Sequence, residues 1–244
     1  MLVLLHGFCE DSSVWSELLP HLSDVPTFCL DLPGFGAAPL PATAGMEGYA
    51  QAVHDALDAA GIGKCVLVGH SMGGYAALEF AARWPERLTG LGLFHSHPYA
   101  DPPERREARL RGIEMLRSGK KDLYVAQLFP GLFAPAFAAA RPDVVNALIV
   151  TGKKQTVEGI IAGLEGMMQR CDHQDTLQNL PCPVQFLLGA EDALVPLDTA
   201  LHAATLPSQA DVQVLPGVGH MAMFEAAAAA GKAVRAFVMM NNER

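Results

Sequence analysis

The chain has 244 residues, half of them hydrophobic and 18% charged, enough for one elaborated domain with a large core. Its 17 basic residues stand against 26 acidic ones, a formal charge of -9, which argues against a nucleic-acid partner and against docking on an anionic membrane. No apolar run approaches the roughly 20 residues of a membrane span, and Met1 leads into Leu2-Val3-Leu4-Leu5 without the charged region or cleavage-like site of a signal peptide. Five scattered cysteines, never in C-x-x-C spacing, fit reduced thiols in a cytoplasmic protein and speak against a zinc site.

Leu2 to Leu5 reads as a strand, and Val14 to Leu22 as a short helix capped by Ser12 or Ser13. Thr27 to Leu32 is the next strand, Tyr49 to Ala60 a helix stopped by Gly61, and Lys64 to Val68 a third strand. A helix follows Ser71 and ends near Trp84-Pro85, and Leu88 to Phe94 is the fourth strand. From Ser96 to Leu177 the pattern is helical only. Segments run over Pro102 to Leu116, with Leu110, Ile113 and Leu116 on one side, over Pro142 to Val150, and over Thr156 to Gln169. Alternation resumes with the strand Val184 to Leu188, the helix Pro196 to Thr205, the strand Val212 to Leu215 and a helix from Ala222 to Met240. Alternating strands and helices predict an α/β fold, with a mostly parallel sheet of about six strands covered on both faces. Residues 1–95 and 178–244 form the expected core, and 96–177 an all-helical cap over one end of the sheet.

The stretch Gly69-His70-Ser71-Met72-Gly73-Gly74 lies where the third strand becomes a helix. A G-x-S-x-G pattern in that setting is a nucleophile elbow. Its glycines let the backbone turn sharply and expose the serine oxygen above the carboxyl edge of the sheet. A serine needs a base, and a base needs an orienting acid. His220, in the glycine-rich loop after the last strand, and Asp192, in the loop after Val184 to Leu188, supply the order Ser71, Asp192, His220. Glu191 is the rival acid, and a helix-capping role the plainer reading of Asp192. Oxyanion donors are expected at the backbone N–H of Met72, next to the nucleophile, and of Phe8, where Gly7 allows close approach.

His6-Gly7-Phe8 with Trp15, Asp31-Leu32-Pro33-Gly34-Phe35-Gly36, the elbow, the loop Gly189 to Pro196 and Gly219-His220-Met221 together resemble the α/β-hydrolase superfamily, over nearly the whole chain except the cap. The resemblance implies an α/β-hydrolase fold, with Ser71 as nucleophile, His220 as base, Asp192 as acid, and Phe8 and Met72 at the oxyanion hole. Relatives often begin with two further strands. This chain starts at the strand carrying His-Gly, so an exposed sheet edge is expected near the N-terminus, open to cover by a partner subunit in a homo-oligomer; otherwise the chain begins later than its relatives do.

His95-Ser96-His97 has the look of a metal pair but lacks a third ligand in sequence, so it is expected to serve as a cap hinge that lines the pocket, with no metal. Residues 104–122 hold seven basic and four acidic side chains, a solvated helix or, as the minority reading, a site for an acidic substrate tail. Phe129, Phe133 and Met167 of the cap are core by default and, with His95, candidates for the substrate pocket. The expected function is hydrolysis of a small carboxylic ester through an acyl-enzyme, with a small-molecule substrate and no cofactor. A thioester, lactone, amide or carbon–carbon hydrolase on the same residues, or a hydrolase-like ligand receptor, are the alternatives.

Overall fold

The computed structural model describes residues 1–241. Six strands, β1 (Leu2–Leu5), β2 (Thr27–Leu30), β3 (Cys65–His70), β4 (Leu88–Phe94), β5 (Val184–Gly189) and β6 (Ala210–Leu215), form one sheet in the order β2-β1-β3-β4-β5-β6, parallel throughout. β1, β3 and β5 are buried along their whole length, as expected for strands covered on both faces. The edges are β2, half-buried, and β6, whose Val212 and Val214 are exposed. β1 itself is internal, pairing Leu2 with Thr27 on one side and with Val66 on the other.

Helix α1 (Met46–Ala59) leads into β3, and α2 (Met72–Arg83) leaves it. Between β4 and β5 come α3 (Pro103–Arg117), α4 (Lys121–Leu128), α5 (Pro135–Ala140), α6 (Pro142–Lys154), α7 (Val157–Gln169) and α8 (Gln174–Asn179). After β5 follow α9 (Leu197–Ala203), α10 (Ala222–Glu225) and α11 (Ala227–Asn241). Helices cover both faces of the sheet. α2 packs on β3 and β4 with α1 beside it, while α11 packs on β4, β5 and β6. No helix among the described residues is long and apolar enough to cross a membrane.

The chain runs outward from β1 to β2, then returns to β3 on the other side of β1. At this reversal the loops leaving the carboxyl ends of β1 and β3 diverge and open a crevice, the usual ligand position in open parallel sheets. Gly7-Phe8 and Ser71 follow those two ends.

Three local expectations differ from the structure. The helix expected over Val14 to Leu22 is two 3₁₀ turns, Ser12–Trp15 and Leu19–Leu22. Pro20 has no N–H for a continuous ladder, and the capping side chain is Asp11, which accepts from the Ser13 amide at 3.0 Å. The helix expected from Ala222 is broken at Ala226 (φ -148°, ψ 46°) into α10 and α11. On α3, Ile113 and Leu116 are buried but Leu110 is 48% exposed. At about 100° per residue Leu110 lies about 120° around the helix from Leu116, and the inward stripe is Arg105, Arg109, Ile113 and Leu116.

Candidate active site

Ser71 sits between β3 and α2 at φ 50°, ψ -113°. A non-glycine residue held there costs of order 1–3 kcal/mol and persists only where its surroundings fix it. Here the Ser71 N–H donates to the Phe94 carbonyl (3.0 Å), and its carbonyl accepts from Ser96 Oγ and the Gly74 amide (both 2.9 Å). The turn requires Gly69, where a Cβ would lie 2.3 Å from the Gly73 carbonyl oxygen. Met72 opens α2, so its N–H has no intrahelical acceptor, and the helix dipole there favours developing negative charge.

His220 is buried in the loop between β6 and α10. Its Nδ1–H donates to Asp192 Oδ2 at 2.7 Å, and its backbone N–H donates to the Leu132 carbonyl at 2.7 Å. Nε2 has no protein partner among the described residues, so its lone pair is left for a substrate or for Ser71, which lines the same cavity. The loop is clamped by Glu225. One carboxylate oxygen accepts from the amides of Gly219 and Ala134 (both 2.9 Å), the other from that of Met221 (3.0 Å).

Asp192 is buried, whereas its rival Glu191 is exposed. Oδ1 accepts from the amides of Leu194 (2.9 Å) and Val195 (3.0 Å), a local turn that does not cap α9. Oδ2 accepts from His220 and also from His95 Nδ1 at 3.0 Å. Burial alone would raise this carboxyl group; the charge interaction with His220 and the two histidine hydrogen bonds outweigh it and hold Asp192 far below the usual carboxylate range.

His95 is fully buried at φ 50°, behind Asp192 and away from the cavity wall. Burial lowers it to about 4, so at neutral pH it is an uncharged donor to the carboxylate. The sequence pair thus separates: His95 turns to Asp192, and His97 lines the cavity, pushed down to about 3 by burial first and by Arg170 second. Among the described residues, His95, Asp192 and His220 also form the one grouping with ligand atoms close enough to share a metal, within 4.8 Å. Both histidines face the carboxylate at hydrogen-bond length.

A second buried polar chain ties the loops together. Glu10 accepts from the Gly7 amide at 2.7 Å and pairs with His70 Nδ1 at 3.2 Å, while His70 Nε2 contacts the His220 carbonyl at 3.0 Å. Burial pushes the Glu10 carboxyl up, but His70 and the Gly7 amide carry it below its ordinary value. The two ring nitrogens of His70 thus face the Glu10 carboxylate on one side and the His220 carbonyl on the other. Gly7 fits because a Cβ there would lie 2.6 Å from the His70 ring. The loop after β1, the elbow and the histidine loop are therefore one hydrogen-bonded unit.

The cavity of about 280 Å³ is lined by Ser71, His220, Phe8 and Met167, with apolar cap residues such as Leu164. Phe129 and Phe133, expected as candidate wall residues, do not line it. Phe129 is fully buried against Gly152 of α6, and Phe133 stacks on Phe137 with ring centroids 5.4 Å apart. Sequence reasoning missed Glu10, His70 and Glu225. Only His70, adjacent to Ser71, stood inside a recognised motif.

A sequence model of the alpha/beta hydrolase family matches residues 2–232. The chain is 30% identical over 234 residues to the biotin biosynthesis bifunctional protein BioHC of Cellvibrio japonicus (strain Ueda107), covering 90% of this chain and 44% of that protein. It is 29% identical over 231 residues to the 2-succinyl-6-hydroxy-2,4-cyclohexadiene-1-carboxylate synthase of Enterobacter sp. (strain 638), covering 93% and 87% respectively. The chain thus spans under half of the bifunctional relative. Among solved structures, the malate-bound thermophilic esterase from Thermogutta terrifontis superposes with a TM-score of 0.92 at 31% identity, covering 98% of this chain and 89% of that one. The matched sequence model, the parallel sheet and the strand-to-helix serine agree, and the chain belongs to the alpha/beta hydrolase family.

Proposed function

We propose that the protein hydrolyses a small carboxylic ester through an acyl-enzyme on Ser71. The observation that carries this reading is His220, held on buried Asp192 at 2.7 Å with Nε2 unpartnered, in the cavity that contains Ser71. Ser71 Oγ attacks the ester carbonyl while His220 Nε2 takes its proton. Asp192 fixes the tautomer and stabilises the imidazolium. The negative carbonyl oxygen is received by the Phe8 and Met72 amides. Collapse of the intermediate returns the proton to the departing alcohol. Water, deprotonated by the same histidine, then releases the acid. The reaction draws on no cofactor. A cavity of about 280 Å³ suits a small acyl group. The five free cysteines support a reducing compartment, the cytoplasm in our reading.

Hydrolysis of p-nitrophenyl esters from acetate to decanoate, with Ser71→Ala in parallel, tests the proposal. Turnover that survives the substitution contradicts it. A second reading keeps Ser71 but changes the bond, and it is favoured by the synthase relative, whose name denotes another reaction. Comparing kcat/KM for matched oxygen esters and thioesters separates part of this range.

A further inference from the structure

The inward stripe of α3 places Arg105 and Arg109, both half-buried, in the cavity wall, and Arg170, buried at the end of α7, joins them. One carboxylate serves this group. Asp101 accepts from both Arg109 and Arg170. Three guanidinium groups against one carboxylate leave two positive charges in the wall. The cavity's other acid, Glu10, is already paired with His70. This excess stands in a chain of formal charge -9, so it is a local arrangement and not a general basic surface. Guanidinium groups taken partly out of water without a counter-charge are costly, and a cleft with one sign of charge concentrates the opposite ion.

Donors remain for such an ion. Among the described residues, the one side-chain hydrogen bond of Arg105 is from Nη2 to the Leu194 carbonyl (2.8 Å), one of five N–H groups in its fork. His97 Nδ1 accepts from the Tyr99 amide at 3.2 Å, which puts the ring proton on Nε2, 3.4 Å from Tyr75 Oη. Tyr75 then accepts from His97, and its own O–H is left to donate. Its ring is held under Arg170, 3.9 Å from the guanidinium carbon.

We propose that this cavity selects acyl substrates carrying a free carboxylate at the far end of the acyl chain, seated on Arg105 and the Tyr75 hydroxyl while the ester carbonyl faces Ser71. The inference rests on the ester-hydrolase reading above and names its substrate class. A planar carboxylate matches the guanidinium fork, and charge-assisted bonds of this kind are the strong ones.

The test compares monomethyl glutarate with methyl pentanoate, and monomethyl adipate with methyl hexanoate, pairs that differ by a carboxylate in place of a methyl group. Wild type is expected to favour each half-ester by about 10-fold or more in kcat/KM, chiefly through KM. In Arg105→Gln the ratio falls towards one, while Arg111→Gln, exposed on the outer side of the same helix, retains it. Melting curves establish that both variants are folded. Equal treatment of the pairs by wild type, or a ratio that persists in Arg105→Gln, overturns the inference. Calorimetric titration with glutarate is read separately from turnover. Glutarate bound by wild type and released by Arg105→Gln, with no ester hydrolysed, contradicts the esterase reading and leaves the anion site standing. Methyl pentanoate hydrolysed without any binding of glutarate does the reverse.

Discussion

Replacing Glu225 by alanine removes a half-buried carboxylate that accepts three backbone amides, those of Gly219 and Met221 on either side of His220 and that of Ala134 from the cap. A hydrogen bond to a charged group contributes about 1.5–3 kcal/mol, but water at a half-exposed site replaces part of it, so about 1 kcal/mol per amide and about 3 kcal/mol in all is expected. For a domain of this size that lowers the melting temperature by about 6–12 °C. Glu225→Gln keeps one acceptor oxygen for Gly219 and Ala134 but turns an NH₂ group towards the Met221 amide, so its loss is intermediate. The histidine loop loses its clamp as well, and kcat on the best p-nitrophenyl ester falls about 10-fold as His220 leaves its near-attack position. Differential scanning calorimetry and steady-state kinetics on the same preparations read both effects. A melting temperature unchanged in Glu225→Ala, with kcat retained, would mean that this carboxylate does not hold the loop.

Asp192→Asn leaves the fold in place but removes the charge that stabilises the His220 imidazolium, and kcat is expected to drop about 1,000-fold or more with little change in KM. Glu10→Gln weakens the hydrogen-bonded link from the Gly7 amide to His70, and a fall in kcat of about 10-fold reports a displaced oxyanion donor; unchanged kinetics would show that this link does not position the donor. Acid lability follows from His95 and His97. Their folded values, about 4 and about 3, lie below the unfolded value of 6.5, so the unfolded chain binds the extra protons and stability falls as pH drops from about 6.5 towards 3. The contribution of His95 is about 3 kcal/mol, and His95→Asn, which does not titrate, should make that part of the urea-unfolding profile shallower while the share of His97 remains. Below this window, protonation of the depressed Asp192 and Glu10 carboxylates continues the loss. Gly69→Ala would press a Cβ to 2.3 Å from backbone oxygen, a clash expected to cost about 4 kcal/mol or more and to leave little soluble protein on expression.

Local chemistry made much of this legible. The alternation of apolar runs with helical ones specifies a parallel sheet, because crossover helices must cover both faces. The glycine spacing around Ser71 identifies the sharp turn, because no side chain fits at Gly69. What stayed hidden depends on pairs far apart in the chain. Glu10 and His70 are 60 residues apart and meet because β1 and β3 are neighbours. His95 and Asp192 meet across β4 and β5, 97 residues apart, so the position of His95 after β4 suggests a pocket residue when it stands behind Asp192. Phe129 and Phe133 were indistinguishable from wall residues because hydrophobicity alone does not say whether a cap side chain faces the core or the cavity. Leu110 and Leu116 are six residues apart, a spacing that departs from the 3.6-residue period, and the arginines that share the true stripe fit a solvated helix first and a site for an acidic substrate tail only as the minority reading.

Whether Ser71 is the nucleophile is decided by reaction of the wild-type protein with an alkyl fluorophosphonate, followed by peptide mass mapping. A single adduct is expected on the peptide containing Ser71, formed quickly, absent in Ser71→Ala and strongly slowed in Asp192→Asn. Ester hydrolysis that continues while Ser71 carries no adduct, or an adduct that forms at another residue and stops turnover, would contradict that role.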